Sequence, residues 1–322
     1  MKERNRAIEL LRILLMFGIV MIHVIGKGAY SQRWLANLLK ICVPGFVFIT
    51  GWFGLQFSWR KIGKLYAIGA YCALVGTIFW ALMLGESVTL QALCDRWLTD
   101  MKWFWFLHSY AVLLMVAPML NIAVEKVIET RERIGGRDAI GIRQSNILLP
   151  FLVVVFGWAF LTGIGHIKPY MVVVDGFQTH SPLSLAGVYV VARCIKLGGI
   201  DNRFSSRLLL GVLIVCAPLA MIGLANYNSP IALIMAAALF LLFKRHVKAG
   251  AWVNIIAPSM FSVYMLHSTL AGLTFICRTE DCLMARNWNM FVMFLAVSLL
   301  VFGVGVLLAT ARRLVVRIWT KD

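Results

Sequence analysis

The amino-acid sequence predicts an all-α fold, a polytopic bundle of about ten transmembrane helices that forms one membrane domain over residues 1–322. Of these residues, 61% are hydrophobic and only 14% are charged, whereas a soluble domain carries about a quarter charged residues. Apolar stretches long enough to cross a bilayer recur along the whole chain. A transmembrane β-barrel is excluded, because its strands alternate polar and apolar residues with a period of two.

The distribution of basic residues sets the topology. Lysine and arginine concentrate in every second predicted loop, which is the positive-inside pattern and places both termini in the cytoplasm. The net charge of +17 therefore reflects membrane topology and not nucleic-acid binding. The predicted spans lie near residues 8–25, 41–57, 66–84, 104–124, 147–165, 183–197, 207–224, 230–243, 254–276 and 289–310.

The first span carries three ionisable residues, Glu9, Arg12 and His23. At about 100° per residue, Arg12 and His23 lie roughly three turns apart, so both face one side at a separation of about 16 Å. Glu9 is close enough to pair with Arg12. Ionisable groups inside a membrane are costly, which indicates a functional stripe. The alternative is that Glu9 and Arg12 lie at the headgroup boundary while His23 hydrogen-bonds a neighbouring helix.

This first span is expected to stay in the protein. A cleaved signal peptide has a shorter apolar core, and the segment here contains both Arg12 and His23.

Two further histidines fall at a depth similar to that of His23. His108 is near the external end of the fourth span, and His267 is in the external half of the ninth. All three could line one cavity, although a lone membrane histidine more often makes an interhelical hydrogen bond. Arginine suits a phosphate-bearing cytoplasmic ligand, and histidine suits proton abstraction. The residues alone fit either group transfer to an alcohol or a proton-coupled transporter.

The seven cysteines do not form a disulfide framework, since most fall within or beside spans, where a thiol usually fills space. A link between Cys277 and Cys282 across a short external loop stays open. No cysteine and histidine cluster has the spacing of a zinc site, so no metal is expected.

Five motifs follow one another along nearly the whole chain. They are Glu9-Leu10-Leu11-Arg12 with His23 at Arg-x10-His spacing, the segment from Val43 to Phe53, Trp105-Phe106-Leu107 with Pro118, Tyr227-Asn228-Ser229-Pro230, and Ser262-Val263-Tyr264-Met265-Leu266-His267. In this order they resemble acyltransferase family 3, membrane-bound enzymes that use acyl-CoA and often O-acetylate bacterial surface sugars. One departure is the basic cluster Arg60, Lys61 and Lys64, which has fewer arginines than the family's cluster and no proline after it.

The resemblance implies an integral-membrane O-acetyltransferase in the bacterial plasma membrane. Its donor would be acetyl-CoA on the cytoplasmic side, and its acceptor a hydroxyl of a surface polysaccharide or a lipid-linked sugar. The expected partners are thus the lipid bilayer and a carbohydrate, with no nucleic acid. Two other functions stay open, a proton-coupled transporter, which commonly shows inverted repeats that we do not find here, and a non-catalytic subunit of an envelope glycan assembly complex.

The resemblance also suggests a role for each candidate residue. His23 would be the general base, and Arg12, held by Glu9, would bind a CoA phosphate or orient the donor. The remaining candidates are Arg60, Lys61 and Lys64 for the CoA phosphates, and His267, Tyr264, His108 and Trp105 for the acceptor, with an interfacial anchor as the alternative for Trp105.

Overall fold

The computed structural model describes residues 5–27, 33–84, 89–134, 182–227, 229–286 and 289–319, and all regular secondary structure in these ranges is helical. Six helical stretches among them are long and apolar enough to cross a membrane, or seven if the bent pair Val253–Ser268 and Leu270–Met284 is one span. The structure therefore confirms an all-helical fold and indicates a membrane protein.

The ten-span topology is only partly covered by these helices. The predicted span at 147–165 lies outside the described residues. The spans predicted at 183–197 and 230–243 correspond to helices Pro182–Leu197 and Pro230–His246, of 16 and 17 residues. The full number of spans and the cytoplasmic position of both termini stay predictions.

The described α-helices differ greatly in length. They are α1 (Arg6–Lys27), α2 (Arg33–Leu39), α3 (Cys42–Phe53), α4 (Trp59–Leu84), α5 (Leu90–Trp103), α6 (Trp105–Ile134), α7 (Pro182–Leu197), α8 (Ser206–Leu219), α9 (Pro230–His246), α10 (Val253–Ile256), α11 (Met260–Ser268), α12 (Leu270–Met284) and α13 (Met290–Trp319).

The helices group into two compact units, each built from separate segments of the chain. The first unit falls within residues 1–39, 63–107 and 248–322, and the second within residues 40–62 and 108–247. In the first unit, α1 packs against α2, α11 and α13, and α11 and α12 also pack against α13. In the second unit, α3 packs against α7 and α9, and α9 packs against α8. The single-domain organisation stays a prediction.

Helix α1 is firmly embedded in the first unit. Its residues Ile8, Leu11, Val20 and Val24 are all at most 2% exposed. At about 100° per residue, Ile8 and Leu11 point to one side of the helix and Val20 and Val24 to the opposite side, so α1 is packed on more than one side. This packing fixes the rotation of α1 and hence the direction of its polar residues.

Helix α4 begins at Trp59, seven residues before the predicted start of the third span at residue 66. The carbonyl oxygen of Ser58 accepts the amides of Lys61 and Ile62 at 3.0 and 3.2 Å, which closes the first turn. Arginine and lysine are good helix formers, so the basic cluster extends the helix instead of forming a loop. Arg60, Lys61 and Lys64 therefore lie on the first turns of α4.

The ninth predicted span, 254–276, is not one straight helix. The chain bends by 75° between Val253–Ser268 and Leu270–Met284. The second limb, α12, extends to Met284, so Cys277 and Cys282 lie within a helix and not in the predicted external loop. Both are free thiols in the structure.

In the second unit, a closed set of hydrogen bonds fixes the turn after α3. The Tyr189 hydroxyl accepts the Leu55 amide at 2.8 Å and donates to the Asn121 side-chain oxygen at 2.8 Å. The Asn121 amide nitrogen donates to the Leu55 carbonyl at 3.0 Å. Gly54 has a φ of 78°, and a Cβ there would lie 2.9 Å from the Arg193 guanidinium, so the turn requires glycine.

The motif Tyr227-Asn228-Ser229-Pro230 marks the start of α9. The Ser229 hydroxyl accepts the amide of Ala232 at 3.1 Å, and Pro230 occupies the first turn. Serine at the N-cap followed by proline is a favourable helix start, so this part of the motif has a structural role. Asn228 lies outside the described residues.

Candidate active site

The polar stripe of α1 begins with an ion pair near its start. Arg12 Nη1 donates to Glu9 Oε1 at 2.7 Å, and the side chain of Glu9 is 6% exposed while that of Arg12 is 31% exposed. Among the described residues, Glu9 is the single side-chain partner of Arg12. Because a guanidinium carries five N–H donors, Arg12 keeps donors for an anionic ligand. Helix α1 is unbroken to Lys27, so His23 follows about 16 Å along the axis.

His23 meets His267 in the first unit. Nδ1 of His23 lies 2.7 Å from Nε2 of His267, and the two ring centroids are 4.8 Å apart. His267 is only 3% exposed, and its Nδ1 lies 2.8 Å from the Val263 carbonyl oxygen. The structure thus brings two of the three predicted histidines into direct contact.

The hydrogen bonds assign a tautomer to each neutral ring. A carbonyl oxygen can only accept, so Nδ1 of His267 carries the proton and its Nε2 is the acceptor. His23 then donates from Nδ1 to His267, which makes Nε2 the basic nitrogen of the His23 ring. A proton taken up at His23 Nε2 gives a cation whose Nδ1–H is already hydrogen-bonded, which stabilises that cation.

An aromatic row leads from the histidine pair to the start of α6. Tyr264 contacts His267 edge-on with centroids 5.8 Å apart, and Phe106 contacts Tyr264 edge-on at 5.5 Å. Trp105 contacts Phe106 edge-on at 5.6 Å. Edge-to-face contacts at these distances are favourable, so the row holds Tyr264 against the site. Two of the predicted acceptor residues, Tyr264 and Trp105, are therefore connected to His267 within one unit.

Other predicted site residues belong to the second unit. His108 lies three residues after Trp105 in α6, and Arg60 and Lys61 lie at the start of α4, in the parts of these helices assigned to that unit. Lys61 donates to the Gln56 carbonyl at 3.0 Å. Their participation in one site with His23 stays a prediction, as does that of Lys64.

Sequence reasoning missed a buried pair that contacts the bend after His267. Asp100 is 1% exposed, and its Oδ1 accepts the backbone amide of Leu270 at 3.0 Å and a guanidinium N–H of Arg96. The spacing of four residues between Arg96 and Asp100 is a recognisable pairing signal in a helix. No local pattern, however, indicates that Asp100 meets Leu270, which is 170 residues away.

Helix α13 contributes a second unpredicted contact. Arg313 donates to the Ser259 hydroxyl at 2.8 Å and to the Ile255 carbonyl at 3.0 Å. These bonds hold α13 to the segment just before α11, the helix that carries His267 and Tyr264.

Among the described residues, no three histidine, cysteine, aspartate or glutamate side chains come together to hold a metal ion.

A family model described as an acyltransferase domain matches residues 5–310 of the chain. The match covers both units, all five sequence motifs and the histidine pair. Comparisons with curated proteins and with solved structures give no match.

Proposed function

Since the chain belongs to acyltransferase family 3, we propose that it is an integral-membrane O-acetyltransferase that transfers an acetyl group from cytoplasmic acetyl-CoA to a carbohydrate hydroxyl. The observation that carries this proposal is the hydrogen bond of 2.7 Å between His23 Nδ1 and His267 Nε2. It supplies a histidine of fixed tautomer, which is what deprotonation of an alcohol requires.

His23 is the general base in this proposal. Its Nε2 takes the proton of the acceptor hydroxyl as that oxygen attacks the thioester carbonyl carbon. The new C–O ester bond forms, the C–S bond breaks, and the leaving CoA sulfur takes the proton back from His23. The base is thereby restored, and no oxidant or further reactant is needed. A positioned base of this kind contributes about 10²–10⁴-fold to the rate.

His267 positions the base and stabilises its charged form. Its own ring is fixed by the 2.8 Å bond to Val263 O, so Nε2 can only accept from His23. When His23 is protonated, its Nδ1–H bond becomes charge-assisted, which strengthens it. His267 therefore takes the orienting role that a carboxylate has in other base-catalysed acyl transfers.

Arg12 is the donor-side residue of α1. Its partly exposed guanidinium, oriented by buried Glu9, suits a CoA phosphate because a planar guanidinium binds oxyanions through paired N–H groups. The separation of about 16 Å from His23 is spanned by an extended CoA arm. The first turns of α4, with Arg60, Lys61 and Lys64, supply further cations for the donor.

The acceptor side is formed by Tyr264 and Trp105, with His108 as a further candidate. Aromatic rings present apolar faces that pack against sugar rings, and a tyrosine adds a hydroxyl for hydrogen bonding. The edge-to-face row that connects Trp105 to His267 supports this assignment. The acceptor is a surface polysaccharide or a lipid-linked sugar, and the protein resides in the bacterial plasma membrane.

Mass spectrometry of surface glycans tests this proposal. A strain lacking the gene is complemented with wild type, His23→Ala or His246→Ala. His246 is exposed and hydrogen-bonded to Ser206, which makes it a matched control. We expect an acetyl ester on glycans with wild type and His246→Ala and its loss with His23→Ala.

Two results would contradict the proposal. Acetylation that persists with His23→Ala removes the catalytic assignment. If acylation of the glycans does not depend on the gene, the protein is not the proposed transferase. That result favours a proton-coupled carrier, which a proton-flux assay in vesicles would detect.

A further inference from the structure

The bend between α11 and α12 lies immediately after His267. A break inside an apolar segment leaves backbone N–H groups of the new helix without intrahelical partners, and such groups are costly away from water. Thr269 satisfies one of them, since its Oγ1 accepts the Gly272 amide at 3.0 Å. A second, the Leu270 amide, donates to Asp100 Oδ1 at 3.0 Å.

The bend has a tightly defined geometry. A Cβ on Gly272 would lie 2.5 Å from the Leu266 carbonyl oxygen, so only glycine allows the chain to turn this sharply. A Cβ on Gly76 of α4 would lie 2.8 Å from Thr269 Cγ2, so α4 also packs closely against the bend. The direction in which α11 ends is therefore sensitive to small changes at these contacts.

Asp100 belongs to α5, a helix fixed within the same unit. The Trp97 indole donates to the Ala70 carbonyl at 3.0 Å and so ties α5 to α4. Arg96, which pairs with Asp100, also lies 6.0 Å over the Trp80 ring. Asp100 is thus a buried acceptor on a rigid support, aimed at the first amide of α12.

His267 is rigidly coupled to α11, the helix that ends two residues before the Leu270 amide that Asp100 accepts. Its Nδ1 bonds to Val263 O in α11, so the ring moves with that helix. A shift of the end of α11 changes the 2.7 Å contact with His23 directly. Displacements of about 1 Å in a catalytic group can lower a rate about 10²-fold.

We propose that Asp100 is a positioning residue, which holds the His267 imidazole against His23 by accepting the Leu270 amide. The inference rests on the proposed function, because it requires the histidine pair to act in acetyl transfer. The proposal requires Asp100 to act as a hydrogen-bond acceptor and does not require its negative charge.

Two substitutions of Asp100 separate these properties. Asp100→Asn keeps a side-chain oxygen that accepts the Leu270 amide but loses the charge that pairs with Arg96. Asp100→Leu loses both. Positioning through the amide predicts that asparagine rescues activity, whereas a role in the ion pair alone predicts that asparagine fails like leucine. Asp95→Leu, an exposed position on the same helix, is the matched control.

The assay uses the purified full-length chain, acetyl-CoA and alkali-deacylated envelope glycans from cells lacking the gene. We expect Asp100→Leu to lower kcat about 10²-fold with little change in KM for acetyl-CoA. We expect Asp100→Asn to stay within about fivefold of wild type, since its amide oxygen makes the same bond. An inactive Asp100→Asn that retains the wild-type apparent Tm overturns the inference.

A second variant covers the case in which Asp100→Leu does not accumulate. Leu270→Pro removes the amide donor, and proline is tolerated there because Leu270 is the first residue of α12 after an extended Thr269. We expect a loss of kcat comparable to that expected for Asp100→Leu, and a wild-type rate overturns the inference.

His23→Ala is assayed alongside. Activity in His23→Ala refutes the proposed function, whereas an inactive His23→Ala with active Leu270→Pro refutes only the role of Asp100.

Discussion

Replacing His267 by leucine isolates the contribution of the histidine pair. The substitution removes the acceptor that lies 2.7 Å from His23 Nδ1 and places an apolar side chain in a position that is 3% exposed. A hydrogen bond to a charged group contributes about 1.5–3 kcal/mol. Because each 1.4 kcal/mol is a factor of ten, kcat should fall about 10- to 150-fold. KM for acetyl-CoA should change little, since Arg12 and not His267 contacts the donor in this proposal.

Steady-state kinetics with the purified protein measures both constants. His267→Gln is the conservative partner, because its amide oxygen accepts from His23 Nδ1, and its loss should stay below about tenfold. His246→Leu controls for the removal of a histidine elsewhere. If His267→Leu keeps kcat within twofold of wild type, His267 does not orient and stabilise His23 as proposed.

Three further substitutions test other parts of the structure. Arg12→Lys keeps the charge but loses the planar fork, so KM for acetyl-CoA should rise about tenfold with kcat nearly unchanged, and an unaltered KM excludes Arg12 from donor binding. Gly272→Ala places a methyl group 2.5 Å from Leu266 O and should destabilise the protein by about 1–3 kcal/mol, so a wild-type apparent Tm and rate would show that the bend is not required. Tyr189→Phe removes a hydroxyl that makes two bonds of 2.8 Å and leaves the Leu55 amide without it, so the apparent Tm should fall by an amount equivalent to about 1–3 kcal/mol. Thermal unfolding of the solubilised protein that matches wild type would contradict this last expectation.

Local periodicity accounts for what the sequence predicted well. Helix α1 follows from a continuous apolar segment, and the common face of Glu9, Arg12 and His23 follows from the helical repeat. The pairing of Glu9 with Arg12 at 2.7 Å is a contact between residues three apart, which spacing alone predicts. The similar depth of His23 and His267 followed from topology, although only the structure shows that the two rings touch.

The bend after His267 escaped prediction because one of the contacts that stabilise it is not local. Residues 260–269 contain neither proline nor glycine, and their apolar character continues that of the neighbouring segments. The bend is stabilised by Asp100, whose carboxylate arrives from a distant part of the chain. Backbone N–H groups that lose their partners at a helix break can be hydrogen-bonded by a side chain from another helix. The sequence of the bent segment itself does not indicate such a contact.

The hydrogen bonds around Leu55 were equally hidden from the sequence. Tyr189 and Asn121 are separated by 68 residues and lie on different helices. Nothing in the sequence around either residue indicates the other, and only the hydrogen bonds at the Leu55 turn connect them.

The rate of acetyl ester formation by His23→Ala measures directly whether His23 is the general base. Purified wild type, His23→Ala and His246→Ala are each given acetyl-CoA and deacylated envelope glycans, and ester formation and CoA release are followed together. We expect His23→Ala to lose about 10²–10⁴-fold in kcat while His246→Ala matches wild type. A His23→Ala protein that forms the ester at a rate within tenfold of wild type would show that His23 is not the general base.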